Sequence, residues 1–146
     1  MHNDKNYRVG WVIPNQIAAL THYTSDIMLE EFQEIATESA TLADSATNRF
    51  HLIIDNRIMN MAFVPDLATI RQAAPYTNTP HLQHIIMVKP EQMEGSANDL
   101  PSYTDDHLTL TYVDTLADAV DLLKAEDRDI RWHEVESDFF PNAKFG

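Results

Sequence analysis

Residues 51–66 read HLIIDNRIMNMAFVPD, and the fold turns on where the apolar run in this stretch ends. Phe50 to Ile54 is apolar apart from His51, and so short a run with paired isoleucines predicts a buried strand rather than a helix. Asp55, Asn56 and Arg57 follow at once. They place an acid, an amide and a base at the carboxyl end of that strand, where α/β sheets open their ligand crevices. Two readings of this triple stand side by side. It is a polar anchor for a ligand or partner, or Asp55 accepts hydrogen bonds from its own turn while Arg57 pairs with it. Ile58, Met59, Met61, Ala62, Phe63 and Val64 are then six apolar residues in seven. In a connection, such a run implies burial beneath the next helix, the wall of a small apolar pocket, or a contact surface, for which methionine is well suited.

Pro65 is tolerated in a first helical turn, so a helix is expected from Pro65 to Ala74, with Leu67, Ile70 and Ala74 on one face and Pro75 as its stop. Upstream, Val9, Trp11 and Ile13 alternate, a Pro14-Asn15 corner follows, and Gln16 to Tyr23 is again rich in strand formers, which predicts a hairpin. Thr24 or Ser25 can cap a helix whose apolar positions Met28, Phe32, Ile35 or Ala36, and Ala43 recur at helical spacing, opposite Glu30, Glu31, Glu34 and Glu38. Downstream, Leu82 to Val88 is a further central strand. Residues 89–106 show no periodicity and read as a long loop. His107 to Val113 alternates as a half-buried strand, and Asp114 or Thr115 caps a last helix with Leu116, Ala119, Val120 and Leu123 facing inward. Residues 127–146, with Trp132, Phe139, Phe140 and Phe145, form a tail that is either docked or offered to a partner.

Strands alternating with helices predict an α/β fold: a mixed, mostly parallel sheet of about five strands with an N-terminal β-hairpin and helices packed on it. The chain of 146 residues reads as one domain. Its hydrophobic fraction of 44% is ordinary for a folded chain, so the acidity does not signal disorder.

Acids outnumber bases 23 to 10, a formal net charge of −13. Such a surface repels phosphate backbones and anionic lipid, so neither nucleic acid nor a membrane is an expected partner. There is no cysteine, which excludes thiolate catalysis and disulfides and fits a reducing compartment. With no signal peptide and no spanning run in the sequence, the expected location is the cytoplasm.

Motifs for catalysis are missing. No Gly-x-Ser-x-Gly elbow occurs, and the 3 glycines are too few and too scattered for a phosphate-cradling loop. His81 and His84 form the closest histidine pair, but on entry to a strand residues three apart point to opposite sides, which argues against a shared metal and suggests two partly exposed rings. His107 beside Asp105 and Asp106, and His133 beside Glu134 and Glu136, are weak acid–histidine pairs. The expectation is a chain that is not an enzyme and needs no cofactor or metal.

The opening hairpin from Trp11 to Tyr23, the Leu52-Ile53-Ile54-Asp55 strand end and the Thr115-Leu116-Ala117-Asp118-Ala119 helix start together resemble the STAS domain of bacterial anti-sigma-factor antagonists. The similarity spans roughly residues 8–124. It implies a regulatory module acting by protein–protein contact, with a partner or a second copy, through the second helix. The family's phosphorylatable Asp-Ser pair would fall near Phe63 and Val64, which cannot take phosphate; nor can Pro65. No serine lies between Ser45 and Ser96, and Thr69 falls inside the helix. The resemblance therefore implies an unswitched module. The contact candidates are Asp55, Asn56, Arg57, Met59, Met61, Phe63, Val64 and Asp66. The alternative is a carrier of a small apolar ligand or lipid.

Overall fold

The computed structural model describes residues 6–61, 65–105 and 107–146. Alternation in the first segment gives β1 (Tyr7–Ile13) and β2 (Ile17–His22), an antiparallel hairpin. Asn15 closes its turn with φ of 59°, a left-handed conformation that asparagine tolerates. The expected strand in the opening stretch is β3 (Phe50–Asp55), buried at every position, and Leu82–Val88 forms β4. β6 (Leu108–Val113) follows β5 (Tyr103–Asp105), a strand inside the segment read from the sequence as loop. A short 3-10 turn, Ala97–Asp99, also lies there.

One six-stranded sheet results, in the order β1-β2-β3-β4-β6-β5. The β2–β3, β3–β4 and β4–β6 pairs are parallel, while the outer pairs β1–β2 and β5–β6 are antiparallel. The sheet is thus mixed and has one strand more than expected, because a three-residue edge strand carries too little pattern to be read.

Helices cover both faces. α1 (Leu29–Asp44) begins later than Thr24 or Ser25, after Met28, whose N–H donates to Glu31 Oε1 at 3.3 Å. Ile35, Ser39 and Ala43 are its buried positions; Met28 and Phe32, expected inside, are 71% and 44% exposed. α2 (Leu67–Ala73) is capped by Asp66, whose Oδ1 accepts from the Thr69 N–H at 2.8 Å, so Pro65 precedes the helix instead of opening it. Pro75 starts a 3-10 turn, Pro75–Asn78, and ends α2 as expected. α3 (Leu116–Glu126) is capped by Thr115, whose Oγ1 accepts from the Asp118 N–H at 3.0 Å. Asp114 instead braces the preceding loop, accepting from Ser96 Oγ and from the Ala97 N–H.

Two apolar layers follow from the period-2 alternation of the strands. Leu20, Leu52, Ile54 and Met87 pack with Ile35, Leu67 and Ile70 beneath α1 and α2. Ile17, Ile53, Ile86 and Val88 pack with Leu116, Ala119, Val120 and Leu123 of α3 on the other face. The tail completes this second layer: Phe139, Phe140 and Phe145 are fully buried in it, and Trp132 packs against Phe145 at 5.9 Å. It is docked. Gly10 lets it approach β1, since a Cβ there would sit 3.3 Å from the Phe139 ring.

Candidate binding pocket at the end of the sheet

Because successive strand residues face opposite ways, the Asp55-Asn56-Arg57 triple is split between the two faces of the sheet. Asp55, 3% exposed, lies on the side of α3 and the tail. Its Oδ2 accepts from Thr21 Oγ1 at 2.7 Å and from Arg57 Nη2 at 2.9 Å, and its Oδ1 accepts from Arg57 Nε at 2.9 Å and from the Arg57 N–H at 3.1 Å. Arg57 Nη2 also donates to the Pro141 carbonyl at 2.8 Å. Every strong acceptor position of the carboxylate is thus spoken for, and the bidentate pair fastens the tail to the strand end. Of the two readings drawn from the sequence, the geometry matches the structural one.

Asn56 turns the other way. With Leu20 and His22 from β2, Ile54 from β3, and Met59 and Met61 from the connection, it lines a pocket of about 230 Å³. Phe32, Ile35 and Ala36 of α1 form one wall; Ile70 and Ala73 of α2, with Ala74 and Tyr76, form another. The pocket lies beyond the carboxyl ends of two parallel strands, where this fold class places its ligands.

Its polar groups are few. Burial pushes the Tyr76 hydroxyl up, despite a hydrogen bond with Ser39. His22 is 3% exposed, and its Nδ1 is closed to solvent and has no hydrogen-bond partner. Desolvation lowers its pKa below 6.5, outweighing the opposing influence of Asp55, a hydrogen bond with the Asn56 side chain, and Glu31. The ring is therefore neutral at neutral pH, with one nitrogen unsatisfied, an arrangement that costs about 1–3 kcal/mol when nothing meets it.

Three of the candidates read from the sequence belong to this pocket. Asn56, Met59 and Met61 line it, Met59 being buried and Met61 half-buried. Asp66 lies at the start of α2 as an exposed cap, its carboxyl held below the usual range by the Thr69 backbone and side-chain hydrogen bonds. Asp55 and Arg57 belong to the opposite face, and Phe63 and Val64 lie outside the described residues. Sequence reasoning missed His22, Phe32, Ala36 and Tyr76. For His22 a signal was present: it continues the apolar series Ala18, Leu20 as a polar residue on a core-facing position.

The remaining histidines are engaged otherwise. His84 is buried instead of partly exposed: its Nδ1 lies 2.5 Å from Glu126 Oε2, and its Nε2 lies 2.9 Å from Thr111 Oγ1. His51, its neighbour across β3 and β4, places Nε2 2.9 Å from Asp127 Oδ2. A carboxylate can only accept, so the facing ring nitrogen is the donor in each pair. These pairs fasten the end of α3 to the sheet. His107 is exposed, and His133 lies 3.5 Å from Glu134 at the surface. Among the described residues, no group of three or more His, Asp or Glu is arranged to hold a metal ion.

Comparison with known proteins finds no matching protein-family model, curated protein or solved structure. Among the described residues no helix is long and apolar enough to cross a membrane. What the pocket offers chemically is apolar enclosure with a neutral imidazole in its wall.

Proposed function

We propose that this chain is a non-catalytic, STAS-like binding domain without a phosphorylation switch, and that it holds a small apolar molecule in the pocket between α1, α2 and the ends of β2 and β3. One observation carries the reading: about 230 Å³ of space walled almost wholly by apolar side chains. A buried apolar cavity of about 150 Å³ already admits benzene, so this one suits a somewhat larger compact molecule. The residues available elsewhere support a non-catalytic role, since Asp55 and His84 are each held by structural partners. The lack of cysteine suits the bacterial cytoplasm that the STAS resemblance implies.

The test uses 4-ethyltoluene as probe and thermal melting with ligand-observed NMR as readouts. Wild-type protein should bind it and melt at a higher temperature. Ala36→Phe, which fills the cavity, should fold and fail to bind. No binding to wild type, or equal binding to Ala36→Phe, overturns the reading.

A second reading, contact with a protein partner or a second copy, is favoured by the exposure of Met28, Leu29, Phe32 and Ile58, which are 71%, 72%, 44% and 38% exposed. Single apolar residues on a surface are common, but here the Met28 cap and Leu29 and Phe32 in the first turn of α1 are clustered. Light scattering across a concentration series, on wild type and Leu29→Asp, checks self-association.

A further inference from the structure

We propose that the molecule held in this pocket is uncharged and carries a hydroxyl group, an alcohol or a phenol, whose proton is donated to His22. This deepens the reading of the pocket given above and rests on it. Three observations meet at His22. Its Nδ1 is enclosed and has no hydrogen-bond partner within the protein, so the fold itself leaves its hydrogen-bonding capacity unused. The ring is neutral, and its other polar contact is the Asn56 side chain, so Nδ1 remains as the free acceptor. The charges acting on the ring, Asp55 and Glu31, are both carboxylates, so a carboxylate or phosphate on the ligand would be repelled where a hydroxyl is not.

Nδ1 is enclosed, so a neighbouring side chain must shift when the ligand enters. Met59 and Met61 line the pocket with His22, and unbranched thioether chains are the kind that repack for such an entry. The remaining wall, from Ile54, Phe32 and Ile70, receives the hydrocarbon part. A neutral alcohol therefore finds an unpartnered acceptor in a largely apolar enclosure whose other polar lining residues are Asn56 and Tyr76, the pattern of a specific small-molecule site. A plain hydrocarbon fits the volume but leaves the nitrogen unmet.

The experiment compares 4-ethylphenol, 4-ethylanisole, 4-ethyltoluene and 4-ethylbenzoate by calorimetry on the full chain. The phenol should bind about fivefold tighter than the toluene, the worth of one net hydrogen bond, and the benzoate weakest. Anisole accepts but cannot donate, so it should bind like the toluene. His22→Phe should bind the toluene and lose the preference for the phenol. Should that variant fail to fold, the wild-type His22 ring resonances decide: Nδ1 must shift on adding phenol and stay unchanged on adding toluene. If all the neutral probes bind alike, or the anisole matches the phenol, the hydroxyl donor is wrong while the apolar pocket stands. If none binds, the pocket reading itself falls.

Discussion

Replacing Arg57 by Met would keep most of the side-chain volume and remove the cation from Asp55, which is 3% exposed. An uncompensated buried carboxylate is the expensive outcome when one partner of a buried pair is deleted, so Arg57→Met should lose about 3–5 kcal/mol in urea denaturation. The double variant Asp55→Asn, Arg57→Met should recover part of that loss, because no charge is then stranded. The sequence carried the information for the Asp55–Arg57 pair itself, since residues two apart at a strand end reach each other. It held no sign that Arg57 would also donate to Pro141, a partner 84 positions away. His22 shows the same limit from the other side. Its place on the apolar face of β2 was readable, but the lack of any partner for its Nδ1 depends on how α1 and the connection close over it.

At the level of single elements, the caps separate local chemistry from tertiary context. Thr115 and Asp66 each accept from the N–H three residues on, the usual geometry of a helix start. Thr115→Ala should lower the unfolding free energy by about 1 kcal/mol with little change in the denaturant slope, measured by circular dichroism in urea. α1 departs from this logic: Thr24 and Ser25 are the better capping residues, yet the helix waits until Met28. The Ser25 carbonyl instead accepts from the Asn60 N–H at 3.1 Å, tying residues 24–28 to the connection after β3. A local preference yields there to a long-range hydrogen bond. β5 was invisible for a related reason. Three residues without apolar alternation acquire strand geometry only because β6 offers them an edge.

Taken as a whole, the molecule should lose stability in mild acid. Burial lowers the pKa of His22 and of His84 from 6.5, in the latter against the pull of Glu126 and with His51 adding to the decrease. A depressed imidazole takes up its proton in the unfolded chain before the folded one, so the stabilising effect is complete above pH 6.5 and declines as the pH falls below it. Asp127 acts lower on the scale. Burial pushes its carboxyl up, but hydrogen bonds from His51 and the Asp129 N–H, with the charges of His51 and Arg49, outweigh that and hold it below 3.8. Its contribution persists above pH 3.8 and disappears as the pH drops through the folded-state value. Urea midpoints should therefore fall between pH 7 and 5, and His22→Gln combined with His84→Gln should flatten that slope; an unchanged slope would assign it to other groups.

The α/β alternation, the hairpin, β3, β4, β6 and α3 were all legible from periodicity, because each buries one face or two against neighbours close in sequence. The docking of the tail was not, since nothing in Phe139-Phe140 or Phe145 names the surface that receives them. That docking bears on how the chain reaches its native state. Gln16, in the turn just before β2, donates from its side chain to the Asp129 carbonyl and accepts from the Arg131 N–H, and Arg131 in turn donates to the Pro14 carbonyl. The face of the sheet bearing Ile17, Ile53 and Ile86 therefore stays partly uncovered until residues 130–145 have been synthesised and have closed loops of more than a hundred residues. Loop closure on that scale raises contact order and slows the final step. During synthesis, an apolar sheet surface awaits its cover, and this interval is when the chain is most open to aggregation or to capture by a chaperone.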